Sequence, residues 1–135
     1  MTSGYSNTPL LKKLGIRDDT KLLLIHAPIN YFDLLSADIS GQLAKEFDIP
    51  DIVHLFAKNK KEMQKSLRQL KKTCMQNPKL VIWVSWYKKS AGIPTDLTEN
   101  DVREYALKNG LVDVKVCAVS EIWSGLKLVV PLKKR

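Results

Sequence analysis

The run Lys21-Leu22-Leu23-Leu24-Ile25-His26-Ala27 is apolar without alternation, the pattern of a strand buried on both faces. Asp51-Ile52-Val53-His54-Leu55-Phe56-Ala57 repeats that pattern, and Lys79 to Trp86 is the strongest strand, rich in branched and aromatic residues. Between the last two the period changes. Met63, Leu67, Leu70 and Cys74 stand at i, i+4, i+7 and i+11, which is one face of a helix. Asn59 is its predicted cap and Asn77-Pro78 its stop. A second long helix begins after Thr98, with Asp101 at the capping-box position, Leu97 and Val102 at staple spacing, and Gly110 at its end. Val112, Val114, Val116 and Ala118 then alternate with Asp113, Lys115 and Cys117, giving a strand with two unlike faces. Ser120 to Gly125 turn the chain, and Leu126, Leu128 and Val130 form a final alternating strand that Pro131 closes.

The first part of the chain gives shorter signals. Thr8 and Pro9 suit the start of a brief helix with Leu10, Leu11 and Leu14 as its stripe and Gly15 as a left-handed stop. Pro28 and Asn30 mark a turn before a short helix over Tyr31 to Leu35. From Ser36 to Pro50 the pattern is weak, with a short strand near Leu43. Buried strands that alternate with helices predict a mostly parallel sheet with helices on both faces. The last two strands are joined too closely for a helix, so they are antiparallel neighbours. The expected fold is a single α/β domain over residues 1–135, Rossmann-like, with a C-terminal antiparallel strand.

Composition narrows the class. A chain of 135 residues suits one domain, and 44% apolar with 27% charged residues is the balance of a soluble globular protein. The longest apolar run, Leu80 to Val84, falls far short of the roughly 20 residues of a membrane helix. The start, Met1-Thr2-Ser3-Gly4-Tyr5, does not read as a secretory signal, and Cys74 and Cys117 are too far apart in sequence for a metal-ligand pair. A reduced cytoplasmic setting, no membrane and no metal are therefore expected.

Several stretches together resemble an uncharacterised bacterial family of unknown function. They are Gly4-Tyr5-Ser6 with Thr8-Pro9-Leu10, Leu14-Gly15-Ile16, Leu23-Leu24 with Ala27-Pro28, Trp83-Val84-Ser85-Trp86 with Lys88-Lys89, Thr95 to Glu99 with Val102-Arg103, Leu111 to Val119, and Trp123-Ser124-Gly125-Leu126. That resemblance carries no assigned reaction. The order of elements from Asp51 onward is also distantly similar to the later half of class I S-adenosylmethionine-dependent methyltransferases, a shortened version of their sheet. This second resemblance implies a glycine-rich turn after the first strand and an acidic residue for a ribose after the next. Here the turn reads His26-Ala27-Pro28-Ile29-Asn30-Tyr31, without glycine. The acidic position has no clear counterpart, since Glu46 and Asp48 lie in a stretch that does not align, and the chain is short by about one strand–helix unit there. The expectation is a degenerate, non-catalytic version of the fold with no cofactor. A divergent methyltransferase is the alternative.

No dinucleotide fingerprint, phosphate loop or nucleophile elbow is present, and no residue set stands out as catalytic. His54 lies mid-strand and reads as a hydrogen-bonded core histidine. Ligands of open parallel sheets bind beyond the strand carboxyl ends. That rule gathers His26, Asn30, Lys58, Trp86, Lys88, Lys89 and Trp123 around one expected crevice, with Tyr87, Ser90, Glu121 and Ser124 nearby. Aromatic rings beside ammonium groups suit a small planar or anionic ligand, or a protein partner. The bland alternative has Trp86 and Trp123 sealing the sheet end beneath solvated lysines. With 22 basic and 14 acidic residues the net charge is +8. Lys61, Lys65, Arg68 and Lys72 form a stripe opposite the apolar helix face, and Lys133-Lys134-Arg135 add to it. This supports a basic nucleic-acid-binding module as a third reading, against the commoner solvated helix face.

Overall fold

Five strands stand side by side in the order β1 (Leu22–Ile25), β2 (Ile52–Phe56), β3 (Val81–Tyr87), β5 (Trp123–Val129), β4 (Val112–Ala118) in the computed structural model, which describes residues 8–135. The Gly4-Tyr5-Ser6 part of the family resemblance lies outside the described residues. β1, β2 and β3 are parallel, and β5 runs antiparallel to both β3 and β4. Four strands therefore share one direction. The reversed strand sits inside the sheet rather than at its edge.

Period-2 alternation splits the apolar residues of each strand between two layers. Val53, Leu55, Ile82, Val84, Trp86, Leu126 and Leu128 face α3 (Lys60–Gln69), α4 (Lys71–Gln76) and α5 (Glu99–Lys108). Leu22, Ile52, Phe56, Trp83 and Trp123 face α1 (Leu10–Lys13) and α2 (Tyr31–Leu35). Unbroken apolar runs serve this purpose, since β2 is buried on both sides throughout. Gly125 lies in this second layer. A Cβ there would stand 3.1 Å from Val119 Cγ2 and 3.4 Å from Trp83 Cε3. Among the described residues no helix is long and apolar enough to cross a membrane.

The caps behave as the sequence predicts. The Asn59 side chain accepts from the Glu62 amide at the start of α3, and Thr98 and Asp101 form a reciprocal capping box on α5. Gly15 takes φ +81° after α1, although the N-cap position there is Pro9, without a side-chain cap. Four expectations are corrected. The Met63–Cys74 helix is two helices, broken at Leu70. The strand near Leu43 is a single bridge to Leu22, so the missing strand–helix unit is reduced to one residue of pairing. β5 begins at Trp123, three residues before the predicted alternation, because the turn closes earlier, with the Val119 and Ser120 amides donating to Trp123 O. In β4 the register shifts between Asp113 and Lys115. Val114 is the extra residue; Val114 and Val116 are exposed on this edge strand, while Asp113 reaches Arg103 of α5.

Candidate functional site

Because β1, β2, β3 and β4 point one way, their carboxyl ends share a rim of the sheet. Among the described residues, the expected site residues fall into two hollows of the rim rather than the one crevice expected. The physical reason is again alternation: Trp86 belongs to the α3/α5 layer and Trp123 to the α1/α2 layer. The larger hollow, about 970 Å³, lies beyond β3 and takes Trp86, Lys88 and Lys89. The smaller, about 250 Å³, takes His26, Lys58 and Trp123 together with Phe56 and Glu62. Asn30 lines neither of them; it is the exposed residue ahead of α2. Tyr87 and Trp123, paired across β3 and β5, stack at a 4.4 Å centroid distance and give one ring to each hollow.

The larger hollow is built by two neighbouring segments. Its inner side is the exit of β3 and the turn Lys89–Ala91; its other side is the capped start of α5, with Thr98, Glu99 and Asn100. The connecting loop is fastened to the β2–α3 turn. Thr95 Oγ1 donates to Lys58 O at 2.7 Å, and the Lys60 amide donates to Asp96 at 2.8 Å. The Lys88 amide donates to Ile122 O at 2.8 Å, which anchors the exit of β3 to the β4–β5 turn. Lys88 is half-buried and Lys89 exposed. Glu99 is the single acid of the lining, and its carboxylate is held by Arg103. Hydrogen bonds that the Arg103 guanidinium donates to Glu99 and Asp113 hold it firmly in its charged form. The hollow thus presents two ammonium groups and no free carboxylate among its lining residues. Trp86 is only 6% exposed and Trp123 8%, and one face of Tyr87 is covered by Trp123. The indoles are buried at the sheet end, and the exposed lining is Lys89, Ser90, Ile93, Pro94, Thr95, Thr98 and Asn100. The sequence reading misses Thr95 and Asn100, whose place in the hollow depends on where α5 packs.

The smaller hollow sits above an aromatic ladder. His54 stacks on Phe56 at 4.4 Å, Phe56 meets Trp123 edge-on at 5.0 Å, and Tyr31 meets both His54 and Phe56 edge-on. His54 is fully buried and bridges Tyr31 Oη to Ser85 Oγ, with both contacts at 2.8 Å. A neutral imidazole satisfies this chain, because one ring nitrogen donates and the other accepts. Desolvation drives the His54 pKa down to about 3, and burial pushes the Tyr31 hydroxyl above its ordinary range. The Ser–His–Tyr chain therefore holds the core together, away from solvent, as the core-histidine reading expects.

At the exit of β1 the exposed His26 has φ +55°, a left-handed backbone that glycine adopts without penalty. The turn has left-handed geometry but carries an imidazole where a close backbone approach needs no side chain. Asp48 lies at the other end of β1. It accepts from the Lys45 amide and from Lys21 Nζ, and those bonds hold its carboxyl below the ordinary value. No group of three or more His, Cys, Asp or Glu among the described residues has metal-binding geometry. On α3, Lys61, Lys65 and Arg68 are exposed as the stripe predicts, with Lys72 continuing it on α4 and Arg68 donating to Tyr105 Oη.

No known protein family matches this sequence, and no curated protein does. Solved structures do match in fold. A protein of the NADB-Rossmann superfamily from Streptococcus agalactiae has a TM-score of 0.60 at 10% identity, covering 95% of this chain and 70% of that one. A putative tRNA (m1A22) methyltransferase from Streptococcus pneumoniae, in complex with S-adenosyl-L-methionine, has 0.58 at 8% identity, covering 91% and 72%. The m1A22 tRNA methyltransferase TrmK of Bacillus subtilis has 0.55 at 7% identity, covering 92% and 66%. The chain is therefore a Rossmann-like α/β domain with a methyltransferase-like sheet, as the distant resemblance implies. At these identities the likeness concerns the fold.

Proposed function

We propose that this domain binds a small anionic ligand in the hollow beyond β3 and does not transfer methyl groups. The observation that carries the reading is the lining itself: Lys88 and Lys89 face about 970 Å³ of space while the one acid, Glu99, is committed to Arg103. That volume lies within the range of small-molecule sites, and ammonium groups favour phosphate or carboxylate. The planar half of the expected ligand is given up, since both rim indoles are buried.

The residues at the β1 exit do not fit S-adenosylmethionine. His26 places a side chain where backbone approach is needed, and Pro28 lacks a donor. Asp48, one of the two acids of the stretch where the resemblance implies a ribose contact, is at the amino end of β1 and bound to Lys21. The hollow there, about 250 Å³, is below the roughly 300 Å³ at which small-molecule sites begin.

Thermal shift with pyrophosphate, AMP and S-adenosylmethionine tests the proposal. A rise in Tm with pyrophosphate or AMP, lost in Lys88→Ala/Lys89→Ala, is the expected result. A rise with S-adenosylmethionine alone would restore the methyltransferase alternative. Salt-sensitive RNA retention abolished by Lys61→Glu/Lys65→Glu, with no response to the small anions, would favour the nucleic-acid reading.

A further inference from the structure

A third hollow, of about 430 Å³, lies at the opposite end of the sheet. It opens between α4, Pro78, the α5–β4 turn and the end of β5. Its origin is the helix break at Leu70: beyond it, α4 covers the core incompletely, leaving Cys74 half-buried and Met75 exposed. Leu67 and Leu111, both buried core residues, form part of its lining, with Val130 at the margin. The core is thus reached from outside at this corner. The charged groups of the lining are Lys71 and Lys134, and no carboxylate is among them. Neither lysine forms an ion pair among the described residues. Asn109, the lining amide, already donates to Tyr105 O. An apolar chamber flanked by cations alone is complementary to one class of molecule.

We propose that this cavity binds an amphiphilic carboxylate with a single aliphatic chain. The chain lies against Leu67, Leu111 and Val130, and the head group meets Lys71 and Lys134. Chain burial supplies affinity and the two cations select the sign of the head group. The inference goes beyond the proposed function and shares no residue with that hollow, so either can fail alone.

Cys74 lines the cavity and reports its occupancy, while Cys117 packs at the α1/α2 layer and serves as the internal control. The experiment is alkylation of the full chain by iodoacetamide, followed by peptide mass spectrometry, with sub-micellar decanoate or decyltrimethylammonium. Decanoate is expected to slow Cys74 alkylation several-fold and leave Cys117 unchanged. The cationic amphiphile is expected to protect Cys74 little. Charge reversal at two exposed residues, Lys71→Glu with Lys134→Glu, is expected to remove the decanoate effect in a folded protein. Equal protection by both amphiphiles, no protection by decanoate, or protection that survives charge reversal would each overturn the proposal. The first two readouts need only the wild-type chain.

Discussion

His54 shows how one side chain links the core to pH. Its pKa falls from an ordinary 6.5 to about 3 because the folded chain encloses it completely. In the window between those values the unfolded chain takes up a proton that the folded chain refuses. Stability is thus full above pH 6.5 and declines as pH falls toward 3, by up to about 1.4 kcal/mol per pH unit. Between pH 6.5 and 5 most carboxylates stay ionised, so urea unfolding there isolates the histidine. The His54→Gln variant should lose most of this slope, and its remaining stability should fall by a few kcal/mol through imperfect satisfaction of Tyr31 and Ser85. A flat wild-type profile over that interval would show that His54 is not enclosed as described. At this scale the sequence is informative where burial decides: a lone histidine in an apolar strand reads as a satisfied core group. The partners Tyr31 and Ser85 were not legible, since they lie 23 and 31 residues away.

Elements were legible where local chemistry specifies them. Asn59 and Thr98 announce α3 and α5 because an N-cap needs an oxygen acceptor at one defined position. The Thr98→Ala variant should lose about 1 kcal/mol in chemical denaturation, with the start of α5 fraying beside the larger hollow. An unchanged midpoint would mean that Asp101 alone holds that end. The break at Leu70 and the bulge in β4 escape the sequence for a shared reason. Met63, Leu67, Leu70 and Cys74 remain in helical phase across the break, and one extra residue at Val114 alters facing without altering composition. The bulge has its own value at an edge strand. It interrupts the ladder beside Lys115, which blunts β4 against pairing with other chains.

The whole molecule obeys the direction rule on which the site depends. Four strands aligned, with the reversed β5 between β3 and β4, bring the rim residues to one end of the sheet. Direction was readable from connection lengths. The division of the rim was not, because it depends on which face each indole takes, and Trp123 proved to be a strand residue rather than a loop residue. The fold likeness to methyltransferases coexists with a β1 exit where His26 takes a left-handed backbone and Pro28 lacks a donor, so the proposed binding has one location on the rim. An amide chemical-shift titration of the isotope-labelled protein, with pyrophosphate and separately with S-adenosylmethionine, tests this directly. The predicted result is pyrophosphate shifts clustered over Lys88–Ser90 and Thr95–Asn100, with none at His26–Asn30 for either compound. Saturable S-adenosylmethionine shifts centred on His26–Asn30, with the β3 exit silent to pyrophosphate, would contradict it.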